Sequence, residues 1–210
     1  IYTPRTLFPY TTLFRSDPDP VVGLIKIRQE LLAINRYTIE VFNDVGGAGF
    51  PFQRNNGAII EKGAVGTHMF CAFDQVIAFV GGGKNEPNSV YLGSGGNATK
   101  IATREIEDIL AEYSESELAT SATNYRMNRR HQNLCIHLPR HTLIYDASAT
   151  LVMQVPVWYT LSSSVDLQSP LQGKHFLFAY GKWLIDDRAL SRIGEMSDDI
   201  FTQYGAEVGW

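Results

Sequence analysis

The chain has 210 residues, 44% of them hydrophobic and 19% charged, with a formal net charge of −4. No apolar run of about 18 residues exists, which excludes a membrane-spanning helix, and the mildly acidic balance argues against a broad nucleic-acid-binding face. A chain of this size suffices for one domain that buries most of its apolar surface.

The first segment is set apart. Thr6–Ser16, TLFPYTTLFRS, is the peptide that a common short-read sequencing adapter encodes in one reading frame. Residues 1–16 are therefore read as a translation artefact, kept out of the fold argument as a tag would be. Residues 17–210 are read as a fragment of a longer protein whose natural N-terminus is missing. Asp17-Pro18-Asp19-Pro20 is a stiff lead-in, and Val21–Ile27 is predicted as a strand.

Four hairpins follow, each an apolar run, a turn signal and a second apolar run. Leu31–Phe42 is expected to turn at Asn35-Arg36, Met69–Val80 at Asp74-Gln75, and Phe176–Asp187 near Tyr180-Gly181. The most regular is Leu134–Ser148, with strands Asn133–Leu138 and His141–Asp146 around Pro139-Arg140. A two-residue loop there sets Leu138 opposite His141, Ile136 opposite Leu143 and Leu134 opposite Tyr145. Six large side chains then share one face, while Cys135, His137, Thr142 and Ile144 form a mixed second face that should also be covered. From residue 35 to 74, 139 and 180 the turns step by 39, 65 and 41. Two of these steps fall near the ~40–45-residue period of a propeller blade.

Between the hairpins, Asn43–Asn56 is a Gly- and Asn-rich connection with Phe50-Pro51-Phe52 as an apolar anchor. Ala58–Ile60, Gly66–Phe73 and Ser89–Leu92 are predicted strands, with turns at Gly81–Lys84 and Gly93–Gly96. Gly81–Lys84 lacks the spacing, the Ser/Thr and the following helix of a phosphate loop. Asn97-Ala98-Thr99 matches the glycosylation sequon, a pattern common by chance. Ile101–Tyr113 is the one predicted helix. Ile106, Ile109, Leu110 and Tyr113 form its stripe, Thr103 its N-cap, and its acidic residues a solvated face. Ser114 and Glu117 offer a capping box for a short further turn.

Leu118–Met127 is predicted as a strand and Leu151–Leu161 as an edge or bulged strand carrying Pro156 and Trp158. Ser162–Gly173 is a polar loop. The last hairpin runs on to Ala189–Ile193 and a tail that stops without a terminating element, so the C-terminus is expected to be truncated too. The fold class is therefore all-β with one inserted helix, a partial β-propeller-like array of antiparallel hairpins. An ordinary meander or sandwich is the competing architecture.

No catalytic, cofactor-binding or metal-ligating residue is assigned. His131, His137 and His141 lie close in sequence, but His137 and His141 point to opposite faces of their hairpin. Adjacent Asp186-Asp187 and Asp198-Asp199 diverge on extended backbone, and no Ser sits on a strand-to-helix elbow. Arg126, Arg129, Arg130 and His131 form a strand-turn edge. Cys71 and Cys135 read as small core residues, with no metal-ligand spacing around them.

Leu138-Pro139-Arg140-His141, then Leu143 and Tyr145-Asp146-Ala147-Ser148, resembles the packaged-DNA stabilisation proteins of short-tailed double-stranded DNA phages, the tail-hub or tail accessory proteins. Ser89–Ala119 is similar in pattern and order, Val22–Phe42 less closely, and the likeness fades after Ser148. The resemblance implies a structural virion protein, not an enzyme, assembled in the bacterial host cytoplasm. It would form a homo-oligomeric ring, close the portal channel after packaging, stabilise the packaged DNA and bridge the portal and its adaptor to the tail needle and tailspikes. It implies no cofactor and no sequence-specific contact with nucleic acid. The alternative is a carbohydrate-binding or glycan-processing propeller, which needs carboxylates and exposed aromatics converging at the blade ends.

Overall fold

The computed structural model describes residues 19–46, 50–164, 169–197, 199–200, 202–204 and 206–207. The adapter-like segment, Gly47, Gly49, Asp198, Trp210 and part of the Ser162–Gly173 loop lie outside them.

Among the described residues, four antiparallel sheets follow one another along the chain, with a short two-stranded pair after them. The first holds β1 (Val21–Ile27), β2 (Glu30–Asn35), β3 (Ile39–Asp44) and β4 (Phe52–Arg54) in sequential order. In the second, β5 (Gly63–Ala64) and β6 (Phe70–Phe73) both pair with β7 (Val76–Gly82), which leads to β8 (Ser89–Ser94) and β9 (Asn97–Lys100). The third is β10 (Ala122–Asn128), β11 (His131–His137), β12 (Thr142–Asp146) and β13 (Trp158–Thr160). The fourth is β14 (Phe176–Ala179), β15 (Lys182–Asp186) and β16 (Ile193–Met196), followed by the pair β17 (Thr202–Gln203) and β18 (Ala206–Glu207).

Alternation along the strands makes these sheets a stack. In β7, Ile77 and Phe79 join Leu32, Ile34, Ile39 and Val41 in a core between the first and second sheets. Ala78 and Val80 of the same strand join Leu134, Ile136, Leu138 and Leu143 in a core between the second and third. A strand buried on both faces therefore belongs to two cores at once. The second face of the central hairpin is covered as expected, with Cys135, His137, Thr142 and Ile144 all 2% exposed or less. Burial drives both Cys71 and Cys135 thiols up to about 12, so they stay protonated, Cys135 within the core and Cys71 partly buried against it.

With β5 and β6, which both pair with β7 along one edge, counted as one interrupted strand, the first strands of successive sheets converge: β1 touches β6, β6 touches β10, and β10 touches β14. Gly23 of β1 shows how close they come, since a Cβ there would lie 2.6 Å from the Phe70 ring of β6. Each first strand turns into the second at a non-glycine residue with positive φ, namely Arg28 (54°), Asp74 (52°), Arg129 (46°) and Tyr180 (55°). These equivalent turns step by 46, 55 and 51 residues (28 to 74, 74 to 129, 129 to 180). Sequential four-stranded meanders with converging first strands are the arrangement of propeller blades. The expected period missed because the turns at 35 and 139 join second to third strands, whereas those at 74 and 180 join first to second.

The predicted register of the central hairpin holds, with Leu134 opposite Tyr145, Ile136 opposite Leu143, and the Leu138 N–H donating to the His141 carbonyl at 2.9 Å. Asp74-Gln75 and Tyr180-Gly181 turn as expected. The first hairpin differs: Ile34 pairs with Ile39, so the turn is Arg36-Tyr37. Asn35 stays on the strand because its buried side chain donates to Thr38 Oγ1 at 3.0 Å, and the Asp19 carboxylate accepts the Tyr37 N–H at 2.8 Å.

Among the described residues there are three helices rather than one: α1 (Arg104–Ala111), α2 (Glu115–Ala119) and α3 (Ala147–Met153). Helix α1 is shorter than predicted but buries Ile106 and Leu110 of the expected stripe; Thr103 stands at its N-cap without a side-chain cap bond. Helix α2 takes Leu118 from the predicted strand, and its Ser114–Glu117 capping box is complete. Helix α3 replaces the start of the predicted Leu151–Leu161 strand. Asp146, at the end of β12, accepts the Ala149 N–H at 2.8 Å and so turns the chain helical, and Gln154 in left-handed conformation (φ 59°) ends the helix. Asn97–Thr99 lies on β9, Gly66–Met69 turns between β5 and β6, and Ile193 opens β16 instead of ending a segment.

Candidate assembly surface

The Pro139-Arg140 turn projects from the third sheet onto the helical insert formed by α1 and α2. The Tyr113 hydroxyl lies 2.6 Å from His141 Nδ1, and its oxygen accepts the Arg140 backbone N–H at 3.3 Å. Burial raises the Tyr113 pKa, so the phenol keeps its proton and shares one hydrogen bond with His141 Nδ1. The Arg140 guanidinium lies 4.4 Å from the centre of the Tyr113 ring and donates to the Glu112 carbonyl at 3.2 Å and to Glu117 at 3.3 Å. Proline fixes the turn, arginine stacks and forks, and histidine bonds Tyr113, so Pro139, Arg140 and His141 have separate jobs.

The insert reaches the other sheets as well. Glu115 pairs with Arg36 of the first-sheet turn at 2.6 Å. Glu107 accepts from Ser89 at 2.7 Å and Lys100 at 2.8 Å, both of the second sheet, and these two bonds hold its carboxyl below the usual carboxylate range. A Cβ on Gly66 would meet the Ala119 backbone at 2.7 Å, so α2 lies directly on the second sheet. The Trp158 indole N–H of β13 donates to the Ile101 carbonyl at 3.0 Å. The helix acids expected to form a solvated face are therefore split: Glu105, Asp108 and Glu112 are exposed, while Glu107 binds the second sheet, and Glu115 and Glu117 of α2 reach the first and third sheets. Each exposed pair contributes little alone, on the order of 1 kcal/mol or less. The buried Tyr113, Leu110 and Leu118 side chains carry the insert. Arg140→Ala is expected to cost about 1–2 kcal/mol, from the lost stack and hydrogen bonds. Limited proteolysis should then cut first within residues 104–119.

The three neighbouring histidines are dispersed. His131 Nδ1 meets the Asp146 carboxylate beside α3, His141 meets Tyr113 on the insert side, and His137 is buried on the opposite face against Phe176 (ring centres 5.2 Å apart). Asp186 accepts from His175 Nδ1 (2.7 Å) and from the Lys174 and His175 N–H groups. Burial opposes ionisation of Asp187, but the Ala189 N–H, Arg192, Gln172 and the Leu190 N–H outweigh it and hold its pKa near about 2. Both carboxylates are thus committed to holding loops. Arg129 and Arg130 form the first turn of the third sheet, both with positive φ, and Arg126 lies 5.8 Å from the Phe176 ring centre. Gly81 is small for steric reasons, since a Cβ would lie 2.0 Å from the Gly63 carbonyl oxygen.

Sequence reasoning missed one surface. Helix α3 buries none of its residues, and Leu151, Val152 and Met153 are 74%, 82% and 62% exposed. Capped at both ends, it displays an apolar face, and its packing against the core between the second and third sheets comes from Ala147. The sequence clue was Asp146 followed by the helix formers Ala147 and Ala149.

The family model described as bacteriophage P22 Gp10, β-propeller, matches residues 12–201. The tail hub protein gp10 of Salmonella phage P22 is 30% identical over 201 residues, an alignment that covers 93% of this chain and 42% of that protein. The chain thus spans less than half the length of that relative. The match starts inside the segment set aside as adapter-encoded and continues well past Ser148, where the likeness was expected to fade, so the α3 region and most of the fourth sheet belong to the same pattern.

Proposed function

We propose, because this chain belongs to the bacteriophage P22 Gp10 β-propeller family, that it braces a phage tail as part of the tail hub. In that role it closes the portal channel after packaging, retains the DNA, and links portal and adaptor to needle and spikes. It works as a homo-oligomeric ring in the virion, is assembled in the host cytoplasm, and carries out no catalysis. The observation that supports this best is the run of four sequential sheets with converging first strands, braced across three of them by the insert. Such a body transmits load because the second sheet shares one core with the first and another with the third. A glycan-processing reading needs free carboxylates near exposed aromatics; Asp186 and Asp187 are instead bound to their own loops.

Negative-stain imaging of the full-length protein should show rings, and these should bind an adaptor–portal complex. A monomer with no affinity for that complex would overturn the reading.

A further inference from the structure

The fourth sheet is attached differently from the other three. Among its described apolar residues, Leu177, Phe178 and Ile193 are 61%, 57% and 75% exposed, and only Ile185 reaches the core. Its hold on the third sheet is a polar seam. Arg188 donates to the Leu138 carbonyl at 2.9 Å, Asn124 to the Lys174 carbonyl at 3.0 Å, Lys174 Nζ to the Thr120 carbonyl at 2.7 Å, and the Leu171 N–H to Thr142 Oγ1 at 3.1 Å.

His137 lies inside this seam, 1% exposed, with no hydrogen-bond partner at either ring nitrogen. On its own sheet its strand neighbours are Ala122 and Thr142, which are uncharged. From the fourth-sheet side it faces Arg188, His175, Lys174 and Asp186. Asp186 is the one anion of the set and is occupied by His175 and two backbone N–H groups. His68 stacks edge-on against His175, with ring centres 6.2 Å apart. A proton on His137 would therefore create a buried cation beside two cations, with no acceptor for its N–H groups.

We propose that the seam between the third and fourth sheets is an acid-released hinge, opened when the buried His137 imidazole takes up a proton. Burial, with Arg188 adding to it, pushes the docked imidazole down to about 3, whereas a solvated one titrates near 6.5. The docked form is thus the poorer proton binder. Undocking gains about tenfold per pH unit below about 6.5, until the docked group itself titrates. The ordinary value for Asp186 is 3.8, and its hydrogen bonds lower it further, so it stays ionised over the upper part of this window.

Hydrogen exchange on the whole chain, corrected for intrinsic rates, tests this. Between about pH 6.5 and about pH 4.5, opening of residues 174–196 should rise by up to about 100-fold, while the first three sheets stay protected. His137→Leu, or His137→Gln should the leucine variant fail to fold, should flatten that response. Equal acceleration in all four sheets, or an acid response that persists in the folded variant, would overturn the proposal.

Discussion

Leu143→Asp leaves the chain without a cooperative melt and without soluble yield. Leu143 is 0% exposed and sits among Leu134, Ile136, Leu138 and Tyr145 in the core shared by the second and third sheets. A carboxylate there has no partner, so the variant loses the apolar contact and adds a desolvated polar group. Each effect is worth several kcal/mol, against a total stability of about 5–15 kcal/mol for a domain. His141→Ala, two positions earlier and just before β12, removes one hydrogen bond to Tyr113 and should cost only about 1 kcal/mol. A circular-dichroism melt of the aspartate variant close to the parent's would contradict the shared core.

Gly63→Ala is the second large effect, and it arises from backbone. A Cβ at residue 63 would stand 2.2 Å from the Asn35 carbonyl oxygen and 2.5 Å from both the Arg36 carbonyl carbon and the Tyr37 nitrogen. No side chain can move aside, so the first and second sheets must separate where β2 meets β5. Overpacking typically costs 1–3 kcal/mol, and a purely backbone clash puts this one at about 3 kcal/mol. Gly57→Ala is the control: its nearest neighbour would be Asn55 Oδ1 at 3.6 Å, an ordinary contact, and its midpoint should stay within about 0.5 kcal/mol of the parent's. Equal denaturation midpoints for the two variants would contradict the close approach.

What the sequence made legible was local. Alternating apolar residues around Pro139-Arg140 set a register that the structure keeps, and Asp74-Gln75 and Tyr180-Gly181 announced their turns by residue type. Ser114 and Glu117 announced a capping box for the same reason. The features missed depend on distant partners or on conformation without a fixed residue. Leu151-Val152-Met153 has the composition of a strand, and only the Asp146 cap turns it into a helix. The first hairpin shifts because Asp19 binds the Tyr37 N–H across eighteen residues. The blade mark, a positive φ at the first turn, is carried in turn by Arg, Asp, Arg and Tyr, so no letter pattern reveals it. The insert's tie from Glu115 to Arg36 spans 79 positions and has no local signature at all. The candidate surface was therefore visible as a hairpin, and its role as a brace was not.

The most direct measurement of that role is DNA retention. Packaged heads carrying portal and adaptor, but no hub, are incubated with the full-length protein, and nuclease-accessible DNA is followed over time. The protein should close the heads and keep the DNA protected, and Gly63→Ala, with its sheets forced apart, should protect poorly at the same concentration. Heads that leak equally with and without the protein would contradict that role.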